Sequence, residues 1–122
     1  MTRRIAWIVL LCLFTPRTVS FLSARANQHT IATVHAADLP KEVRQTIALV
    51  RKGGPFPYKR DGIVFGNFER LLPIHERGYY REFTVPTPRS RDRGARRVIV
   101  GKAGELYYTD DHYGSFRRVL DE

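Results

Sequence analysis

The chain has almost no cysteine: its 122 residues include one, Cys12, so neither an intramolecular disulfide nor a cysteine-built zinc site can form. That excludes the small folds held together by disulfides or zinc. Acidic residues are few, 12 Asp and Glu against 21 Lys and Arg, for a formal charge of +9. Long apolar runs are missing too, since the longest, residues 5–14, is about half of the ~20 residues a membrane-spanning helix requires. No Gly-rich phosphate loop is present and no serine stands in an elbow-like context. The four histidines, His29, His35, His75 and His112, lack metal-ligand spacing, so neither metal nor cofactor is expected. The length leaves room for one small domain and excludes a multidomain enzyme. What is present suffices for a folded core: 43% apolar residues, with 7 Phe, 6 Tyr and 1 Trp.

The first residues follow the three-part plan of a secretory signal peptide: Arg3 and Arg4, the apolar block IAWIVLLCLF, then the small-residue sequence Ala24-Arg25-Ala26. Cys12 lies in the apolar block, and Leu11 before it does not suit lipoprotein processing. The expected division is a signal peptide at 1–26 and a domain at 27–122, secreted to the extracellular space and free of the membrane after processing. A cut after Ala36 competes, because the stretch from Phe14 to Ala26 is long for a cleavage region. Ala26 is preferred because TIATVH, residues 30–35, has the β-branched content of a strand the domain would keep. Removing 1–26 leaves 17 basic and 12 acidic groups, a net of +5. Arg89, Arg91, Arg93, Arg96 and Arg97 crowd together at a density suited either to a polyanion or to a solvated loop.

Asp38, Leu39 and Pro40 form a helix-start signal, and Leu39, Val43, Ile47 and Val50 recur at helical spacing. Gly53 and Gly54 end that helix and Pro55 and Pro57 block its restart. From Ile63 onward the chain changes to short extended runs, with strands expected at 79–85, 98–100, 106–109 and 116–120. With residues 30–35 this predicts an α+β domain: one N-terminal helix packed on a twisted antiparallel sheet of about five strands.

Acid–base and electrostatic chemistry is what the residues leave open. Glu82 lies in mid-strand, the arginine cluster follows it, and His112 stands in an Asp-rich turn. A carboxylate base, a histidine acid and fixed cations are the components needed to cleave RNA without a metal. Ordinary Glu and His side chains titrate near ~4.3 and ~6.5, so one can accept a proton while the other donates. Taken singly, Glu82 reads as readily as an ion-pair partner of Arg97, and His112 as a turn cap.

Four ordered blocks carry a resemblance. GPFPYKRDGIVFGNFE (54–69), GYYREFTVPTP (78–88), RDRGARRVIVG (91–101) and YYTDDHYGSF (107–116) resemble the microbial guanyl-specific ribonucleases, the group containing barnase and the secreted Streptomyces enzymes. The resemblance spans about 39–116 and implies the microbial ribonuclease fold, single-stranded RNA as substrate, and cleavage 3′ of guanosine through a 2′,3′-cyclic phosphate. It implies Glu82 as base, His112 as acid, and Arg93 and Arg97 as stabilisers of the phosphoryl oxygens. Guanine would be read by Phe65, Asn67, Phe68 and Glu69, with the Glu69 carboxylate accepting N1–H and N2–H. Asn67 would shape the loop, and Tyr113 would border the phosphate or base site. The sequence departs from its bacterial relatives at Phe68, where they usually have Arg, and an aromatic lid over the base is expected. Gly66 is smaller than the usual residue, which is expected to loosen the loop. A monomer is implied, with a small acidic barstar-like inhibitor protein as a further partner. Two alternatives are a catalytically silent RNA-binding module on the same fold and the same activity used as an antibacterial toxin.

Overall fold

The computed structural model describes residues 30–120. The expected signal peptide at 1–26 lies outside the described residues. The elements are β1 (Ala32–His35), a 3-10 turn at Ala36–Asp38, α1 (Lys41–Lys52), β2 (Ile63–Phe65), β3 (Tyr80–Thr84), β4 (Arg97–Gly101), β5 (Leu106–Thr109) and β6 (Arg117–Leu120). They form one sheet in the order β1-β6-β5-β4-β3-β2, with α1 against β3 and β4.

The α+β class is as the sequence predicts, but two details differ. The sheet has six strands, not five, and it is mixed: β1 runs parallel to β6, while the other neighbours are antiparallel. β2 is only three residues between Gly62 and Gly66, too short for alternation to signal it. It becomes a strand because β3 offers a partner, with Ile63 opposite Glu82 and Phe65 opposite Tyr80. The direction of β1 depends on a partner at the other end of the domain, which no local pattern encodes.

Helix α1 begins at Lys41, two residues later than the Asp38 signal suggests. Asp38 belongs to the 3-10 turn, and Pro40 is the N-cap, without a side-chain cap but with its carbonyl accepting from the N–H groups of Val43 and Arg44. Glu42 in the first turn and Arg51 and Lys52 in the last suit the helix dipole. Gly53 closes the helix in the left-handed region at φ 86°, donating to the carbonyls of Leu49 and Val50.

The period of two along the strands divides the interior into two layers. On the helix side Leu39, Val43 and Ile47 pack with Val85, Val98, Leu106, Tyr108 and Val119. On the opposite side Tyr80, Ile99, Tyr107 and Leu72 form a second layer, edged by Phe65, Tyr79, Tyr113 and Phe116. Each fully buried aliphatic side chain contributes about 1.5–3 kcal/mol. The same alternation that sends Val98 and Tyr108 toward α1 turns Glu82, Thr84, Arg97 and Thr109 to the face without a helix.

Candidate active site

On that face, register sets the geometry. Thr84, Arg97 and Thr109 are consecutive neighbours across β3, β4 and β5, and Glu82, Ile99 and Tyr107 form the next row. Glu82 is 6% exposed, so its charge needs partners. Its Oε2 accepts a hydrogen bond from the Tyr113 hydroxyl at 3.0 Å, and its Oε1 lies 3.9 Å from Nη2 of Arg93. Arg93 is steadied by two donations to Thr84 Oγ1, from Nε at 3.1 Å and Nη2 at 2.7 Å. The ion pair of Glu82 is therefore with Arg93 and not with Arg97.

The arginine cluster separates by function. Arg97 is buried at 2% exposure, and its Nη1 donates to the carbonyls of Gly94 and Arg96. Its Nε is buried with no acceptor, a state that costs about 1–3 kcal/mol. Arg96 points away and is structural: it donates to Thr87 Oγ1 and the Pro86 carbonyl and pairs with Glu42 of α1. Arg89 and Arg91 are exposed. The loop itself is clasped by Asp92, whose Oδ1 accepts from Ser90 Oγ and from the Gly94 amide, both at 2.8 Å. Gly94 has φ 64°, and a Cβ there would meet Thr87 Oγ1 at 2.6 Å.

His112 is carried by the turn after β5. His112 and Tyr113 both have positive φ, 55° and 74°, a strained pair for residues with side chains. The turn is held by Asp111, which accepts from Ser115 Oγ at 2.6 Å, the Ser115 amide at 2.9 Å and Thr109 Oγ1 at 2.8 Å. These bonds lower its carboxyl pKa to about 2, Ser115 being the largest cause. The His112 amide donates to the Ala95 carbonyl, tying the turn to the arginine loop. Its imidazole is exposed, with its ring 4.8 Å from that of Tyr113. Capping of this turn thus falls to Asp111, and His112 is left facing outward.

Tyr113 connects the parts. Besides the Glu82 bond, its ring stacks on Phe65 at 5.1 Å and lies 6.0 Å from the Arg97 guanidinium. Burial raises its phenol pKa, and the Glu82 carboxylate raises it further, so the hydroxyl remains a donor.

Beyond Tyr113 a small cleft of about 130 Å³ is lined by Phe65, Asn67, Phe68, Glu69, Leu71, Tyr113 and Phe116. Phe65 both floors this cleft and packs on the second core layer. Asn67 adopts φ 51°, and its side chain accepts from the Leu72 amide at 3.1 Å and donates to the Leu72 carbonyl at 2.9 Å. Glu69 and Phe68 are exposed, Phe68 at 85%. Asn67 ties the loop to Leu72. The missing side chain at Gly66 makes room for Phe68, since a Cβ there would lie 2.6 Å from that ring's Cε2 and Cζ.

The nine residues singled out in the sequence therefore fall on one face: Glu82, Arg93, Arg97 and His112 at one end, Phe65, Asn67, Phe68 and Glu69 at the other, Tyr113 between. Sequence reading missed the supports, Thr84, Thr109 and Asp111. For the two threonines a signal existed, because Thr84 alternates with Glu82 and Thr109 ends a strand of buried residues.

A family model for ribonuclease matches residues 23–120. The chain is 57% identical to guanyl-specific ribonuclease St of Saccharopolyspora erythraea over 71% of its length and 86% of that protein. It is 53% identical to guanyl-specific ribonuclease Sa3 of Kitasatospora aureofaciens, over 77% of its length and 67% of that protein. Among solved structures, a crystal structure of ribonuclease Sa2 with guanosine-2'-cyclophosphate is similar at TM-score 0.73 and 48% identity, covering 75% of this chain and 98% of that one.

Proposed function

The chain belongs to the guanyl-specific ribonuclease family, and from the groups gathered on its open sheet face we propose how it cleaves RNA. It is a guanyl-specific endoribonuclease. Glu82 takes the proton of the ribose 2′-hydroxyl, and the 2′-oxygen attacks the adjacent phosphorus. The bond from phosphorus to the 5′-oxygen breaks, and the His112 imidazolium protonates that oxygen. The products are a 2′,3′-cyclic phosphate and a free 5′-hydroxyl. In the second step water gives a proton to His112 and attacks phosphorus, Glu82 returns its proton to the 2′-oxygen, and a 3′-phosphate remains. Because the nucleophile is the 2′-hydroxyl, DNA is not a substrate.

The observation that carries this reading is the buried Glu82 carboxylate, held by Tyr113 and Arg93 on the sheet face that also bears Arg97. The two guanidinium groups beside it stabilise the phosphoryl oxygens, and the gain rises as negative charge develops in the transition state. Tyr113 occupies Oε2 of Glu82, which leaves Oε1 as the basic oxygen. The acid–base pair with two arginines needs no metal. In the cleft, Glu69 pairs with the guanine edge, whereas adenine would set a lone pair against the carboxylate, a mismatch able to reject it by about 10⁴. The amides of Asn67 and Phe68 bind guanine O6, and Phe68 and Phe65 flank the ring.

The protein acts after export as a monomer, cut after Ala26. Removal through Ala36 would delete β1, an edge strand of the sheet. The exposed Arg89 and Arg91 beside the site suit an acidic inhibitor protein.

The test is cleavage of a short RNA containing one G by residues 27–122 in EDTA, with products weighed. One cut 3′ of G giving a cyclic phosphate, slowed about 10²–10⁴-fold in Glu82→Gln and in His112→Ala, is expected. Binding without cleavage would make the domain a silent RNA-binding module, and loss of activity in EDTA would remove the metal-free mechanism.

A further inference from the structure

We propose that Arg77 and Gly66 are positioning residues for the base site, acting through Phe68. The inference rests on the guanine reading above and extends it to residues outside the base-reading segment. The Phe68 ring is 85% exposed, so burial does little to define its place. Two contacts do. One edge of the ring occupies the space where a side chain at residue 66 would stand, and the guanidinium of Arg77 lies 6.0 Å from its centroid.

Arg77 is held where it can do this. The Tyr80 hydroxyl donates to the Pro73 carbonyl at 2.6 Å, Asn67 donates to the Leu72 carbonyl, and the Tyr79 amide donates to the Glu76 carbonyl at 3.1 Å. Glu76 is further paired with Lys102 of the β4–β5 connection at 3.4 Å. The segment bearing Arg77 is thereby fastened to the base loop at one end and to the sheet at the other. Among the described residues Arg77 has no carboxylate partner, so its charge is directed to the ring. A ring already steadied beside the cleft loses less freedom when a base stacks on it, and the base binds more tightly for that reason.

Gly66 acts by size. The atoms a Cβ would strike are the outer end of an exposed ring, which can swing away without disturbing the fold. Gly66→Ala should therefore displace the lid and spare stability.

The experiment measures affinity for 3′-GMP and 3′-AMP in wild type, Arg77→Gln, Arg77→Lys and Gly66→Ala, each also in a Phe68→Ala background, with thermal unfolding of every variant. Expected are a loss of 3′-GMP affinity of about 2- to 5-fold in Arg77→Gln, largely regained in Arg77→Lys, and of roughly tenfold in Gly66→Ala. Both losses vanish when Phe68 is Ala, unfolding temperatures are unchanged, and in GpU cleavage the effect falls on KM and not kcat. Wild-type affinity in Arg77→Gln and Gly66→Ala, or losses that persist without Phe68, would overturn the proposal. Equal affinity of wild type for 3′-GMP and 3′-AMP would instead bring down the guanine reading, and this inference with it.

Discussion

Tyr113 shows how much can depend on one hydroxyl. Its O–H is the hydrogen-bond donor to the buried Glu82, while its ring lies between Phe65 and the Arg97 guanidinium. Tyr113→Phe keeps the ring and removes the donor. Without that bond the Glu82 carboxylate is no longer held in the position from which it meets the 2′-hydroxyl, and a misplacement of this kind should lower kcat by up to about 10²-fold with KM nearly unchanged, as steady-state cleavage of GpU would show. A rise in KM at constant kcat would mean that the hydroxyl serves substrate binding. At this scale the sequence was legible by residue type: a strand glutamate, a histidine and a run of arginines already suggested the chemistry. It did not show which arginines face the site. Five look alike along the chain, yet Arg96 turns to Glu42 and Arg97 is buried, because strand alternation and loop hydrogen bonds send neighbours in opposite directions.

The turn after β5 is the element on which His112 depends. Its two positive-φ residues are maintained by Asp111, through the Ser115 hydroxyl and amide and Thr109. A carboxyl held at about 2, below its ordinary 3.8, stabilises the folded state above the ordinary value and loses that contribution as pH falls toward the folded value. Asp111→Asn should therefore unfold at a lower temperature than wild type near pH 5, with the gap closing between pH 4 and about 2. Thermal melts across that range provide the check; a constant gap would show that the charge is not what holds the turn. The same variant should lose activity, since His112 is no longer presented. The helix was readable from its apolar stripe and its Gly53 stop. Strand β2 was not, because three residues carry no period and gain their structure only from β3.

For the whole molecule, stability rests on two layers with no disulfide. Ile47 is 4% exposed in the helix-side layer, remote from the open face. Ile47→Ala should lower unfolding free energy by about 2–5 kcal/mol in urea titrations, while the folded fraction cleaves at the wild-type rate. Lost activity in fully folded protein would mean that the helix layer and the site are coupled. The basic surface also predicts that cleavage of long RNA slows as salt rises, since phosphate contacts release counterions.

Alternating polar and apolar residues, one amphipathic stripe and the Gly and Pro stops are local properties, and they determined the α+β class and the types of groups available for chemistry. Convergence is not local. That Glu82 pairs with Arg93, that Tyr113 joins Glu82 to the cleft, and that β1 lies parallel to β6 were decided by the tertiary structure. The physical reason is that a strand's register and a loop's hydrogen bonds are set by partners distant in the chain, so a side chain's neighbours exist only once the sheet has closed around them.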